Sequence, residues 1–578
     1  MIIDGRRAFD STAIETEVCI IGAGVVGIAI ALELDRAGIA CVLLESGGES
    51  RDEATADLYR GDSDGLPYDF ADGKRSRYLG GSSNCWGGFC RPWDQQAFVT
   101  RSWVHGSGWP FGRETLEPWY AQAHRVLQVE SADYRPEHWI APSGDEAGNS
   151  GSARKRHGMR RSPRRLPLDP DQVEDIVSHL SPPAKLGLIH RDALAASRHV
   201  SVLLWSNVVD IECSAWGTVV ERVQVRTLSG NAFQVRARSF VLAAGAIENA
   251  RLLLASNRQH ANGLGNRNDL VGRYFQDHPR FKGGVVEFAH PYRHNPLYDL
   301  KFHCVADELI IGGAKLSGQL RLPWAVQQRE QLLDAQTWFY SLHVGESDET
   351  IRALQHLHHR VRRQMSPVRG LRADLAVIGR RPLGAAAYTV GHLSGSRRLV
   401  RSVTMEMIVE PEPDPDSRVT LSDQCDALGV RRSRVTWRLT DNVKRTVDRT
   451  FELIARALHD AGVAHVRLAD PIHETGWPQN LEGTYHHMGT TRMHDSPHAG
   501  VVDRDCRLHG VANFYVAGSS VFPTSSSNHP TMTLTALALR LADHLIDDVR
   551  RRARQTERPG RSPDSEEERS TSAPASAC

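Results

Sequence analysis

Three histidines fall within the stretch GTYHHMGTTRMH, residues 483 to 494, and a fourth follows at 498. Histidine can ligate a metal, exchange a proton near neutral pH, or sit satisfied in a core. A metal site would need chelating geometry from His486, His487, His494 and His498. Adjacent histidines on an extended chain point to opposite sides, and HExxH spacing is absent, so no metal centre is expected. The proton-exchange reading then needs a partner, and the sequence offers one far away, in SSSNHPTM. His529 precedes Pro530, a residue favoured in a first helical turn, and Ser525, Ser526, Ser527 and Asn528 are of types that cap helices. The spacing predicts a helix opening beside His529, with its positive end available to an anion.

Something must carry these residues together, and the amino-terminal third suggests what. EVCII (17–21) reads as a short buried strand, followed by Gly22, Gly24 and Gly27, a helix closed by Gly38, and a second strand ending on Glu45. Isolated, GxGxxG is weak. With strand, helix, second strand and acid in order, it predicts a dinucleotide-binding unit. Gly22 permits the turn, Gly24 lets backbone approach a pyrophosphate, and Gly27 lets helix pack on sheet. Glu45 would accept from ribose hydroxyls, which disfavours a 2′-phosphate. RYLGGSSNCWGG (77–88), with Cys85 and Trp86 among four glycines, reads as backbone wrapped around a flat ligand. The stretch ending VLAAGAIENARLLLAS repeats the strand-turn-helix pattern and is expected to return to the same sheet.

The expected class is α/β: a parallel-sheet, Rossmann-like domain with a second α+β lobe on a mostly antiparallel sheet. Its parts run 14–100, 199–279 and 476–550 for the nucleotide domain, with a helical and loop excursion at 101–198 and a second lobe at 280–475. The last helix buries Leu534, Leu537, Ala538, Leu541 and Leu545 at helical spacing, and a charged, Ser- and Pro-rich tail from 552 to 578 is expected to be disordered. Two basic stretches, 150–165 and the helix-like ETIRALQHLHHRVRRQM, read as solvated surface.

The 578 residues carry a formal charge of +1, so nothing global points to nucleic acid or an anionic membrane. Nine scattered cysteines without CxxC spacing argue against disulfides, zinc knuckles and an iron-sulfur centre. Neither an export leader nor a membrane span is evident, so a cytoplasmic location is expected.

Together the GxGxxG start with Glu45, GGSSNCWGG, VLAAGAIENARLLL, DLVGRYFQDHP, SRVTLS, HHMGTTRMH and VAGSSVFPTSSSNHPTMTLTALAL resemble the glucose-methanol-choline (GMC) oxidoreductases, over roughly residues 14 to 548. The pyranose oxidase and bacterial sugar dehydrogenase branch is the most similar. The resemblance implies FAD and oxidation of an alcohol, with hydride passing to flavin N5. It selects His486, three residues before the glycine of HxxG, as base, and His529 as its partner on the substrate oxygen. It also extends the cofactor-binding set to Gly80, Gly81, Ser82, Asn84, Cys85, Trp86, Gly87, Val208, Ala244, Gly245, Gly518, Ser519, Pro530 and Thr531. Cys85 stands where covalent relatives carry histidine, so noncovalent FAD is expected. The cysteine cluster of haem-coupled relatives is missing, leaving oxygen or a quinone-like compound as acceptor. A sugar, glycoside, aminosugar or cyclitol is the expected substrate; a non-redox lyase on the same fold is the alternative.

Overall fold

The computed structural model describes residues 1–8, 12–68, 74–140, 164–181, 185–289, 295–300, 310–311, 314–343, 348–361, 370–394 and 400–556. Most of the basic stretch 150–165, the end of the ETIRALQHLHHRVRRQM stretch and residues 557–578 of the tail lie outside them.

The run AIETEVCII forms a strand, Ala13–Ile21, whose last four residues are buried. It pairs in parallel with Cys41–Leu44 and with Ala232–Leu242. Between the first two runs the helix Val25–Arg36, with eight buried residues. Gly38 ends it at φ +72°, donating its N–H to the Asp35 carbonyl at 3.0 Å, the left-handed stop that glycine makes without strain. Val200–Leu204 pairs in parallel beyond Cys41–Leu44, Ile2–Asp4 pairs beyond that, and Phe514–Val516 pairs in parallel with Ala232–Leu242. Val220–Arg226 and Asn207–Cys213 complete the eight-stranded sheet as antiparallel neighbours. Such a sheet, with helices on its faces, gathers ligand-binding turns at the carboxyl ends of its parallel strands.

A second sheet of nine strands is antiparallel throughout. Its centre is Pro279–Phe288, Val400–Val409, Ala335–His343 and Ala314–Arg321. Two distant segments join it: Glu174–Leu180 from the 101–198 excursion, expected to be helix and loop, and Phe89–Cys90 from the glycine-rich loop. Each sheet has its own apolar core.

The 280–475 stretch is divided between these cores. RLVRSVTMEMIVEPEPDPDSRVTLS reads as one strand-like run but makes two strands in different sheets. Val400–Val409 joins the nine-stranded sheet, whereas Arg418–Cys425 and Arg431–Trp437 form a small sheet with Asp62–Gly65. Val419, Val435 and Trp437 pack into the nucleotide-side core.

The last helix, Thr531–Thr556, packs on Val25–Arg36 and on Glu117–Val126. It runs past residue 552, where a disordered tail was expected to begin. Leu537, Ala538, Leu541 and Leu545 are buried, but Leu534 is only partly so and faces the cavity described below. Among the described residues, no helix is long and apolar enough to cross a membrane.

Candidate active site

A cavity of about 600 Å³ runs from the first glycine turn to the start of the last helix. Gly22, Gly24 and Glu45 line one end and His486, His529, Trp338 and Arg280 the other.

At the glycine end the backbone is in close contact. Gly22 sits at φ +107°, and a Cβ there would lie 2.7 Å from the Ala243 carbonyl oxygen. A Cβ on Gly81 would lie 2.8 Å from the Gly24 Cα, so the turn and the second loop are pressed together. Gly27 is not on the wall; its Cβ would meet the Gly22 carbonyl oxygen at 1.9 Å, which fixes its role in helix packing. The buried Glu45 carboxylate accepts the Ala23 and Gly47 N–H groups, each at 3.0 Å. Burial raises its proton affinity, and those two amides partly offset the rise.

Of the remaining proposed cofactor residues, Gly81, Ser82, Cys85, Trp86, Gly87, Val208, Ala244, Gly245, Gly518, Ser519, Pro530 and Thr531 line the cavity. Gly80 and Asn84 stand behind the wall. Gly80 donates its N–H to the Ala23 carbonyl, and the Asn84 amide closes its own turn on the Leu79 carbonyl at 3.0 Å. Gly245 sits at φ +90° with nothing within 4 Å of an added Cβ, so bare backbone faces open space. A wall of uncovered peptide groups, closed at one end by a buried carboxylate, fits the pyrophosphate, ribose and ring edge of FAD. Cys85 donates its thiol to the Ser82 carbonyl at 3.5 Å, and burial raises its pKa.

The histidines converge through a backbone zipper. Gly489, Thr491 and Met493 donate their N–H groups to the carbonyls of Ser519, Ser520 and Val521 at 3.1, 2.8 and 2.7 Å. The Ser519 hydroxyl donates to the His487 carbonyl at 2.6 Å. Ahead of the helix, the Trp93 indole N–H lies 3.1 Å from the Asn528 carbonyl and 3.3 Å from that of His529. Of the side chains expected to cap this helix, three are engaged elsewhere: the Ser526 and Ser527 hydroxyls donate to Asp334 at 2.8 Å, and the Asn528 amide reaches Asp94 at 3.4 Å, while the buried Ser525 hydroxyl makes no cap either. His529 stacks on Phe89 at 4.7 Å between centroids and 10° between planes. The His486 ring meets it edge-on at 4.8 Å and 72°.

Sequence reading gave no role to Asp277 and His278, which underlie this pair. The buried Asp277 carboxylate accepts the His486 N–H at 2.8 Å and the Tyr485 N–H at 3.0 Å, together with the Tyr68 hydroxyl at 3.2 Å and the Thr484 hydroxyl at 3.3 Å. Burial raises its pKa to about 6 despite those donors. His486 Nδ1 lies 2.9 Å from both Thr484 Oγ1 and His278 Nδ1. His486 is half-buried because one edge reaches the cavity, yet it is far from bulk water. Burial, with His529, His278 and His487 nearby, pulls its pKa well below the ordinary value. Burial likewise brings His278 down to about 4.

His487 turns away. Its Nε2 contacts the Tyr68 hydroxyl, and its ring packs on Phe275. The nearby QDHP was available in the sequence as a signal for Asp277 and His278. Phe89, Trp338 and Arg280 had none. Among the described residues, no group of three or more His, Cys, Asp or Glu side chains could hold a metal.

A fold that sets a glycine-lined cavity between its two large sheets and ends it on paired histidines has the form of a nucleotide-cofactor enzyme. Comparison with known proteins makes the class specific. The family model for FAD dependent oxidoreductases matches residues 17–396, and that for the GMC oxidoreductase carboxyl-terminal region matches 413–538. The chain belongs to the FAD-dependent GMC oxidoreductases. Paromamine 6′-oxidase of Streptomyces fradiae is 25% identical, over 92% of both chains. The large subunit of fructose dehydrogenase from Gluconobacter japonicus is also 25% identical, over 55% of this chain but only 48% of that protein, about half its length. Among solved structures, formate oxidase of Aspergillus oryzae superposes with a TM-score of 0.51 at 15% identity, covering 94% of this chain and all of that one, a likeness of fold alone.

Proposed function

We propose that this protein oxidises a CH–OH group of a sugar, glycoside, aminosugar or cyclitol to the carbonyl, with His486 as base and His529 as its partner. The observation that carries this reading is the edge-on contact of the two rings at 4.8 Å on the wall of a glycine-lined cavity. FAD, when bound, supplies the hydride acceptor. The chain's own residues handle the proton and the orientation. His486 Nδ1 is committed to Thr484 and His278, which leaves Nε2 as the nitrogen for the substrate hydroxyl. A pKa well below the ordinary value keeps that ring neutral before the reaction. His529, fixed between Phe89 and Trp338, sets the angle of the substrate oxygen.

Glu45 and the glycine turns would hold the adenosine and pyrophosphate of FAD, and Cys85 and Trp86, farther along the same wall, would help to hold its ring. FAD would be held without a covalent bond, since burial favours the protonated thiol at Cys85 over the thiolate. Residues 14–100, 199–279 and 476–550 are assigned to the FAD-binding domain, apart from Phe89–Cys90 and Glu482–Gly483, which join the nine-stranded sheet that roofs the substrate. Oxygen or a quinone-like compound takes the electrons onward.

His486→Ala is expected to lower the anaerobic rate of flavin bleaching by alcohol about 10²- to 10⁴-fold with FAD still bound, the usual contribution of a general base. Bleaching at the wild-type rate would remove His486 from this role. A lyase on the same fold predicts no bleaching by any alcohol.

A further inference from the structure

Arg280 is a cation that the roof sheet presents to the substrate end of the cavity. It lies on Pro279–Phe288, two residues beyond His278, whose Nδ1 touches His486. Alternate strand residues share a face, and two residues advance the strand by ~7 Å. Arg280 and His486 both border the cavity.

Its side chain is about one-third exposed (32%) and lines the cavity, while Glu406, wholly buried, grips it from behind in an ion pair. Register explains the grip: Glu406 on Val400–Val409 lies opposite Lys282 and opposite Trp338, so all three strands send side chains to one face. Glu406 itself does not line the cavity. What that wall offers a ligand is N–H donors from a guanidinium whose charge is already balanced.

The other charges nearby are Glu482, paired across the strands with Arg280, and Lys74, which lies 4.5 Å over the Tyr485 ring. Both line the cavity. With Arg280 balanced by Glu406, Lys74 and Glu482 cancel each other; what disfavours an ammonium group beside Arg280 is that it carries only donors and has no lone pair for the guanidinium N–H groups.

We propose that Arg280, held in place by Glu406, is the specificity-determining residue of the active site, and that it selects a neutral polyhydroxylated sugar or cyclitol, whose hydroxyl oxygens accept its N–H groups, over the amino-substituted counterpart. The proposal rests on the alcohol-oxidising reading above and narrows its substrate class.

The test uses the FAD-loaded enzyme, anaerobically, with the matched probes D-glucose and D-glucosamine, and D-galactose and D-galactosamine, at pH 6.5, where the amines are protonated. Flavin bleaching and flavin spectral shifts on binding are both read. The wild-type enzyme is expected to bind and oxidise the neutral member of at least one pair in preference. Arg280→Met keeps the apolar stem and removes the donors. It is expected to weaken half-saturation by the neutral sugar about 10- to 100-fold, the loss of hydrogen bonds from a charged donor, with a smaller change in the limiting rate of bleaching. It should also collapse the preference between pair members. Arg280→Lys is expected to recover only part of the loss, because a point charge cannot replace the planar fork.

Preference for an amino sugar, less than a twofold effect of Arg280→Met, or silence with all four probes overturns the proposal. In the last case, bleaching by another class of alcohol leaves the oxidoreductase reading standing, whereas no bleaching by any alcohol rejects both.

Discussion

Replacing Asp277 with Asn tests the support beneath the catalytic pair. One carboxylate oxygen accepts the His486 N–H and the Thr484 hydroxyl; the other accepts the Tyr485 N–H and the Tyr68 hydroxyl. A carboxamide keeps one acceptor and turns a donor toward one of the two peptide N–H groups. Leaving that buried N–H unpaired costs about 1–3 kcal/mol. The chain can relieve it only by shifting residues 485 and 486, which carry the base. A 10- to 100-fold fall in the anaerobic rate of flavin bleaching is expected, at unchanged FAD content and circular dichroism. The pH dependence supplies a second reading. With a folded pKa of about 6, Asp277 is neutral at lower pH, and its protonated oxygen weakens its hold on one of the two amides. The wild-type bleaching rate should therefore drop as pH falls through about 6, and the Asn variant should lack that step.

The stability effect has the opposite sign. The folded carboxyl binds its proton more tightly than the unfolded one, so its contribution is fully present below about pH 4 and is lost as pH rises through about 6. The difference is ~3 kcal/mol, which the variant no longer shows. Wild-type bleaching by the variant, or persistence of its step near pH 6, would refute the reasoning.

Two further predictions concern the cofactor end. Glu45→Gln retains one acceptor for two amide donors and should weaken FAD binding about tenfold, measured by flavin fluorescence as FAD is titrated into apoprotein; an unchanged affinity would remove Glu45 from the site. Gly27→Ala places a Cβ 1.9 Å from the Gly22 carbonyl oxygen, so a loss of about 1–3 kcal/mol or more in urea unfolding is expected, and equal stability would mean that the turn can move aside.

The amino-acid sequence determined by itself what depends on neighbours along the chain. A buried run ending in Gly22, Gly24 and Gly27 leaves few choices other than strand, tight turn and close-packed helix, and those elements form at Ala13–Ile21 and Val25–Arg36. The closing of that helix at Gly38 and the opposite aims of His486 and His487 follow from backbone geometry in the same way. Pro530 likewise marks the start of the last helix, but three of the expected caps do not act as caps, because Asp334 and Asp94 arrive from distant segments to take those side chains.

Tertiary structure alone decided what depends on partners remote in sequence. VEPEPDPDSRV interrupts a strand-like pattern with prolines and acids, yet nothing local says that the strands on either side enter different sheets. Asp277 is an ordinary acid two residues before a proline until folding buries it under Tyr485 and His486, where removal from water raises its pKa and four donors converge on it. Gly80 and Asn84 share the composition of the cavity wall, but the turn they close holds them behind it. Arg280 is one arginine among many in the sequence. Only the register of three antiparallel strands sets Glu406 behind it and the cavity in front. Side-chain type and local spacing are properties of the chain, whereas burial, pairing and orientation arise from contacts between segments that only folding brings together.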